Sequence, residues 1–136
     1  MITNSVNETV ETGRDFAKTL NTYDVILMYG EMGVGKTHFV KGMAQGLGIT
    51  ENVTSPTFAL INEYPGLYHF DLFRISSIDD LYAIGFYDYI GKGIIAIEWS
   101  ENIPDLEQEF DKYYKIEIIK KDENTREIII NDYSRS

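Results

Sequence analysis

The residues with the clearest chemistry are Gly30-Glu31-Met32-Gly33-Val34-Gly35-Lys36-Thr37, a full match to G-x-x-x-x-G-K-[ST]. Gly30, Gly33 and Gly35 permit a tight turn at positive φ, so that successive backbone N–H groups point inward at phosphate oxygens. Glu31, Met32 and Val34 complete the turn. Lys36 supplies a mobile cation for the β- and γ-phosphates, and Thr37 offers a hydroxyl to magnesium. A helix that begins there aims its N-terminal dipole at the same anions. The chemistry expected is a phosphate-binding loop, a P-loop, closing on ATP with Mg2+.

Such a loop needs an acidic group near the metal, at the end of a neighbouring strand. Glu98 fits, because Ile94-Ile95-Ala96-Ile97 is a clean apolar strand and Glu98 stands at its carboxyl end, the edge where open α/β sheets bind ligands. Asp71, after Leu67-Tyr68-His69-Phe70, is the competing candidate. In Ser55-Pro56-Thr57-Phe58, proline biases Ser55 toward extended backbone, and Thr57 is placed to offer a hydroxyl to magnesium as switch threonines do. His38 and His69, the two histidines, have no partner carboxylate at a diagnostic spacing and read as structural or surface residues. Trp99 reads first as core.

These groups must be held by a small set of elements. Ser5 with Glu8 has capping-box spacing, and Val6, Val10, Ala17 and Leu20 form one stripe, which predicts a helix over 6–20. Val25-Ile26-Leu27-Met28, bounded by Gly30, predicts a strand buried on both faces. Lys36 to Leu47 carries apolar residues at helical spacing, with Gly48 as a C-terminal stop. Thr57 to Tyr64 and Leu67 to Asp71 flank Pro65-Gly66 and predict a hairpin. Ser77 caps a short helix through Ala83, and Tyr113 to Ile119 with Glu127 to Asn131 predict a final hairpin. The fold class is α/β: a single P-loop domain over 1–136, with a mixed, mainly parallel sheet, flanking helices and antiparallel hairpin additions.

Composition removes several alternatives. With 136 residues there is room for one ordinary core. The absence of cysteine excludes disulfides, thiolate zinc sites and cysteine nucleophiles. A net charge of −10 repels a polyanion such as tRNA, and the cluster Lys112, Lys115, Lys120 and Lys121 is interrupted by acids and reads as a solvated face. No apolar run spans a bilayer and no secretory leader stands at the N-terminus, so cytoplasmic residence without membrane attachment is expected.

Read together, the loop, Ser55-Pro56-Thr57-Phe58, Tyr68-His69-Phe70-Asp71-Leu72-Phe73-Arg74, Leu81 with Gly85 and Asp88-Tyr89, and Glu98-Trp99 resemble one family in content and order. The chain is similar to the bacterial tRNA threonylcarbamoyladenosine biosynthesis ATPases, the TsaE (YjeE-like) family. The resemblance implies an ATPase working with the threonylcarbamoyltransferase and its inactive paralogue, which modify the adenosine beside the anticodon of ANN-reading tRNAs. The tRNA is then met only through the complex. It also implies Thr37 and Glu98 as magnesium ligands, Lys36 as phosphate clamp, Asp71 as a residue needed for activity and Thr57 as the switch-like threonine near the γ-phosphate. By the same resemblance Trp99 adjoins the metal-binding glutamate and Arg126 lies near the nucleotide.

Relatives commonly read G-D-L-G-A-G-K-T-T. Glu31, Met32, Val34 and His38 depart from that pattern, and at 38 only the backbone N–H contact to the α-phosphate is retained. Two other readings compete, a small-molecule phosphotransferase and a regulatory module that binds nucleotide without hydrolysing it. The four arginines, Arg14, Arg74, Arg126 and Arg135, do not cluster as a phosphotransferase lid would require.

Overall fold

The computed structural model describes residues 1–31, 33–54 and 60–134. Among them, one sheet carries seven strands: β1 (Ile2–Thr3), β2 (Val25–Tyr29), β3 (Ile61–Tyr64), β4 (Leu67–Asp71), β5 (Ile94–Glu98), β6 (Lys112–Lys120) and β7 (Arg126–Ser134). Their order is β1-β7-β6-β2-β5-β4-β3. The four central strands run parallel, through β6 with β2, β2 with β5, and β5 with β4. Antiparallel partners close both edges. This is the mixed, mainly parallel sheet with hairpin additions expected from the sequence. Strands Val25–Tyr29 and Ile94–Glu98, built on the apolar runs, lie near its centre, where both faces are covered.

Helices α1 (Val6–Ala17) and α2 (Lys36–Gly46) cover one face. They pack on Ile26, Met28, Leu67, Ile94, Ala96 and Ile116 through Phe16, Phe39, Val40 and Met43. The two helices touch backbone to backbone. A Cβ on Gly42 would fall 1.9 Å from the Val10 carbonyl oxygen, and one on Gly13 would fall 2.2 Å from that of Phe39. The other face carries Val25, Leu27, Phe70, Ile95 and Ile97 beneath the short helix α3 (Ile78–Ala83) and the tight turns at 86–89, 100–102 and 106–109.

The elements differ from expectation mainly at their ends. The Ser5 side chain accepts the Glu8 N–H at 3.1 Å, as its spacing predicts. Helix α1 stops at Ala17 rather than 20, because Thr19 and Leu20 bond back three residues to Phe16 and Ala17. Leu20 still packs on the core from that turn. The final pair is longer at both ends than 113–119 and 127–131, with register running from Lys112↔Ser134 to Lys120↔Arg126. Strand β1, two residues long, gave no pattern to find, and pairs with Arg126 and Glu127. Strand β3 begins at Ile61, and the expected start at Thr57 lies outside the described residues. The expected lysine face is a set of ion pairs: Lys112 with Asp24, Lys115 with Glu107 and Glu117, Lys120 with Glu123, and Lys121 with Glu127.

Candidate functional site

The glycine loop leaves the carboxyl end of β2, between its parallel neighbours β5 and β6, and leads into α2. A crevice at that edge is where such sheets place ligands. Gly35 takes φ 112° as the residue that opens α2, a conformation that other residues rarely adopt. Gly30 is confined as well, since a Cβ there would lie 2.7 Å from the Ile118 carbonyl oxygen. Its N–H donates to Glu101 Oε2 at 2.9 Å.

Lys36 is buried at the first turn of α2. Its Nζ donates to the Gly30 carbonyl oxygen at 2.5 Å and lies 3.5 Å from the centroid of the Trp99 ring. Burial lowers its pKa, while the carboxylates of Glu101, Glu98 and Asp71 oppose that shift. Trp99 is therefore not a plain core residue. Its backbone takes φ 61°, which turns the chain just after β5.

One residue further along α2, Thr37 Oγ1 donates to Glu98 Oε2 at 2.9 Å. Glu98 is buried at the end of β5 and stands in register with Asp71 at the end of β4. Alternation along both strands explains this convergence. Leu67, His69 and Asp71 share a face with Ile94, Ala96 and Glu98, and each row changes from apolar to polar as it reaches the loop. Asp71 Oδ1 accepts the Phe73 N–H at 2.9 Å. Burial raises the Asp71 pKa against that hydrogen bond, and the neighbouring Glu98 raises it further.

His69 departs from the expectation of a structural or surface histidine without a carboxylate partner. It is fully buried, and its Nε2 lies 2.5 Å from Glu98 Oε2. The partner is 29 residues away in sequence, so only strand pairing reveals it. The period-two row of β4 puts His69 on the face of Asp71, but its neighbour across the β4–β5 pairing carries no signal in the sequence.

Arg126 lies beside the loop. Its Nε donates to the Val34 carbonyl oxygen at 3.1 Å. A cleft of about 130 Å³ opens there between the start of α1, the loop and the β6–β7 turn, lined by Val6, Thr9, Gly35, His38, Asn124 and Arg126 among others. Val6, Thr9 and Asn124 carried no motif. Glu31 and Gly33 are exposed at the loop, while Met32 and Thr57 lie outside the described residues.

The donors present suit magnesium, which takes hard oxygen ligands and keeps several of them as phosphate or water. Thr37 and Glu98 offer two such oxygens side by side. Among the described residues no three His, Asp or Glu side chains gather as a metal cluster. No helix among them is long and apolar enough to cross a membrane.

Sheet order, loop position and the helix that follows define a P-loop α/β protein. The family model described as Threonylcarbamoyl adenosine biosynthesis protein TsaE matches residues 3–128, and the chain belongs to that family. It is similar to the tRNA threonylcarbamoyladenosine biosynthesis protein TsaE of Treponema pallidum, at 40% identity over 106 residues, covering 75% of this chain and 78% of the relative. The protein of the same name from Aquifex aeolicus is 36% identical over 136 residues, covering 96% and 93%. The crystal structure of Bacillus subtilis YdiB superposes with a TM-score of 0.74 at 30% identity, covering 98% of this chain and 83% of that one.

Proposed function

We propose that this chain binds ATP with magnesium and hydrolyses it as the accessory ATPase of tRNA threonylcarbamoyladenosine formation, acting with the threonylcarbamoyltransferase and its inactive paralogue. The observation that carries this reading is the pairing of the Thr37 hydroxyl with the buried Glu98 carboxylate directly beside Lys36. A hydroxyl and a carboxylate in that position are the two protein oxygens a phosphate-bound magnesium needs.

Each residue has a part. The loop N–H groups cradle the phosphates, and Lys36 leaves the Gly30 carbonyl and the Trp99 ring to meet them. Thr37 and Glu98 hold the ion, which when bound neutralises charge on the phosphates. Asp71, in register with Glu98, is the carboxylate placed to orient an attacking water. The cleft beside Val6, Asn124 and Arg126 adjoins the loop and is where the base and ribose would extend. The net charge of −10 favours docking on a basic protein surface over direct contact with tRNA. The protein acts in the cytoplasm, where its tRNA-modifying partners work.

The test is steady-state phosphate release by the isolated chain, then with the transferase pair, at two salt concentrations. Slow release alone and strong stimulation by the pair, greater at low salt, is the expected result; an arginine supplied by a partner can raise such rates by roughly 10³-fold or more. Vigorous release by the isolated chain with no stimulation defeats the accessory reading. Transfer of phosphate to a small acceptor replaces it with a phosphotransferase.

A further inference from the structure

We infer that His69 is the positioning residue for the metal-binding carboxylate: its Nε2–H fixes Glu98 Oε2 where Thr37 meets it. The inference rests on the magnesium-binding role proposed for Thr37 and Glu98.

Burying an imidazole is costly unless its nitrogens are satisfied. The His69 ring is fully buried, and among the described residues its Nδ1 has no hydrogen-bond partner. Among the described residues, the hydrogen bond that offsets its burial is the one to Glu98 Oε2. A position serving only to fill the core between Leu67 and Asp71 would do better with an apolar side chain, as Leu67 itself shows one pair down the same row. Glu98, being a carboxylate, accepts, so the proton of this bond sits on Nε2.

The geometry gives that bond a specific consequence. Glu98 Oε2 receives one donor from the helix, Thr37 Oγ1, and one from the neighbouring strand, His69 Nε2. An ion held by Thr37 and Glu98 would take the place of the first contact, while the second reaches the same oxygen from the neighbouring strand and would still hold it. Ala96, the register partner of His69, leaves the ring room to lie across β5. Partners of this kind behind a ligand set metal affinity, typically by a factor of 10 to 100.

The experiment measures Mn2+ binding to the ADP-loaded protein by electron paramagnetic resonance, and ADP affinity separately in the presence of a chelator. His69→Leu removes the donor, and His69→Asn keeps an amide whose nitrogen falls short of Glu98. His69→Gln places an N–H near the position of Nε2. The expected result is roughly tenfold weaker Mn2+ binding in His69→Leu and His69→Asn, recovery in His69→Gln, and metal-free ADP affinity within about twofold throughout. Equal Mn2+ affinity in all variants that fold overturns the inference, as does a His69→Gln protein no better than His69→Asn. Should His69→Leu fail to fold, the Asn and Gln pair decides alone. If the unaltered protein binds no Mn2+ with ADP, the metal-site reading itself falls, an outcome separate from a failure of His69.

Discussion

On the face of the sheet beneath α1 and α2, main chain touches main chain, with Gly13 and Gly42 leaving no room for a methyl group. On the opposite face the contacts are between large rings: Phe70 on Phe86 at 4.9 Å, and Phe86 on Phe110 at 6.1 Å. Both layers are apolar and buried, yet their tolerances differ. Side chains can change rotamer and absorb a shift, whereas a helix axis held by carbonyl contact moves as a body. The candidate site grows from the stiff side. Lys36 and Thr37 open α2, whose placement over Glu98 is set by the glycine contact with α1. Precision at the loop is thus inherited from the seam at Gly42, further along the same helix.

The largest effect should come from breaking that seam. Gly42→Ala puts a methyl group into the Val10 carbonyl and is expected to cost about 3 kcal/mol or more of unfolding free energy, measured in urea. Nucleotide affinity should fall with it, since the start of α2 moves too. Unchanged stability would mean that the helices slide freely and the two faces do not differ.

Next is Lys36→Ala, which should separate binding from folding on the stiff face. It deletes charge-assisted contacts to phosphate, so calorimetry should show ATP affinity reduced roughly tenfold or more. Stability should hold, because the buried ammonium is already disfavoured by its surroundings. A smaller cost is expected on the other face. Phe110→Leu should lose about 1 kcal/mol and leave ATP affinity unchanged, the rings around it closing part of the gap. An affinity loss there would show that the aromatic layer also positions the loop.

The smallest effect concerns Asp71. Its pKa is raised, so the folded protein takes up that proton more readily than the unfolded chain. Stability contributed at this position therefore falls as pH rises through and above the ordinary carboxylate value of 3.8. Asp71→Asn should raise the melting temperature slightly at neutral pH, and the gain should vanish below that value. A gain that survives at low pH would remove the charge as its cause.

Much of this arrangement was legible beforehand. Continuous apolar runs such as Val25-Ile26-Leu27-Met28 and Ile94-Ile95-Ala96-Ile97 identify buried parallel strands, and a full loop motif between a strand and a helix has few other uses. The bond between His69 and Glu98 was not legible, because composition gives a strand's face but not its neighbour or register. The same limit hid Glu101, which meets Gly30 across 71 residues. The turns at 86–89, 100–102 and 106–109 bury Phe86, Ser100 and Leu106 without any repeat long enough to have a period. Strand β1 owes its existence to β7 rather than to its own two residues.

Trp99 is the sole tryptophan of the chain, and its indole lies between the Phe73 ring and the Lys36 ammonium. Light absorbed at the red edge of the aromatic band is therefore re-emitted from one place in the molecule. The charge resting on that ring belongs to the side chain that a phosphate would draw away. The colour and yield of the emission thus become a gauge of where the lysine sits, readable in solution without a label.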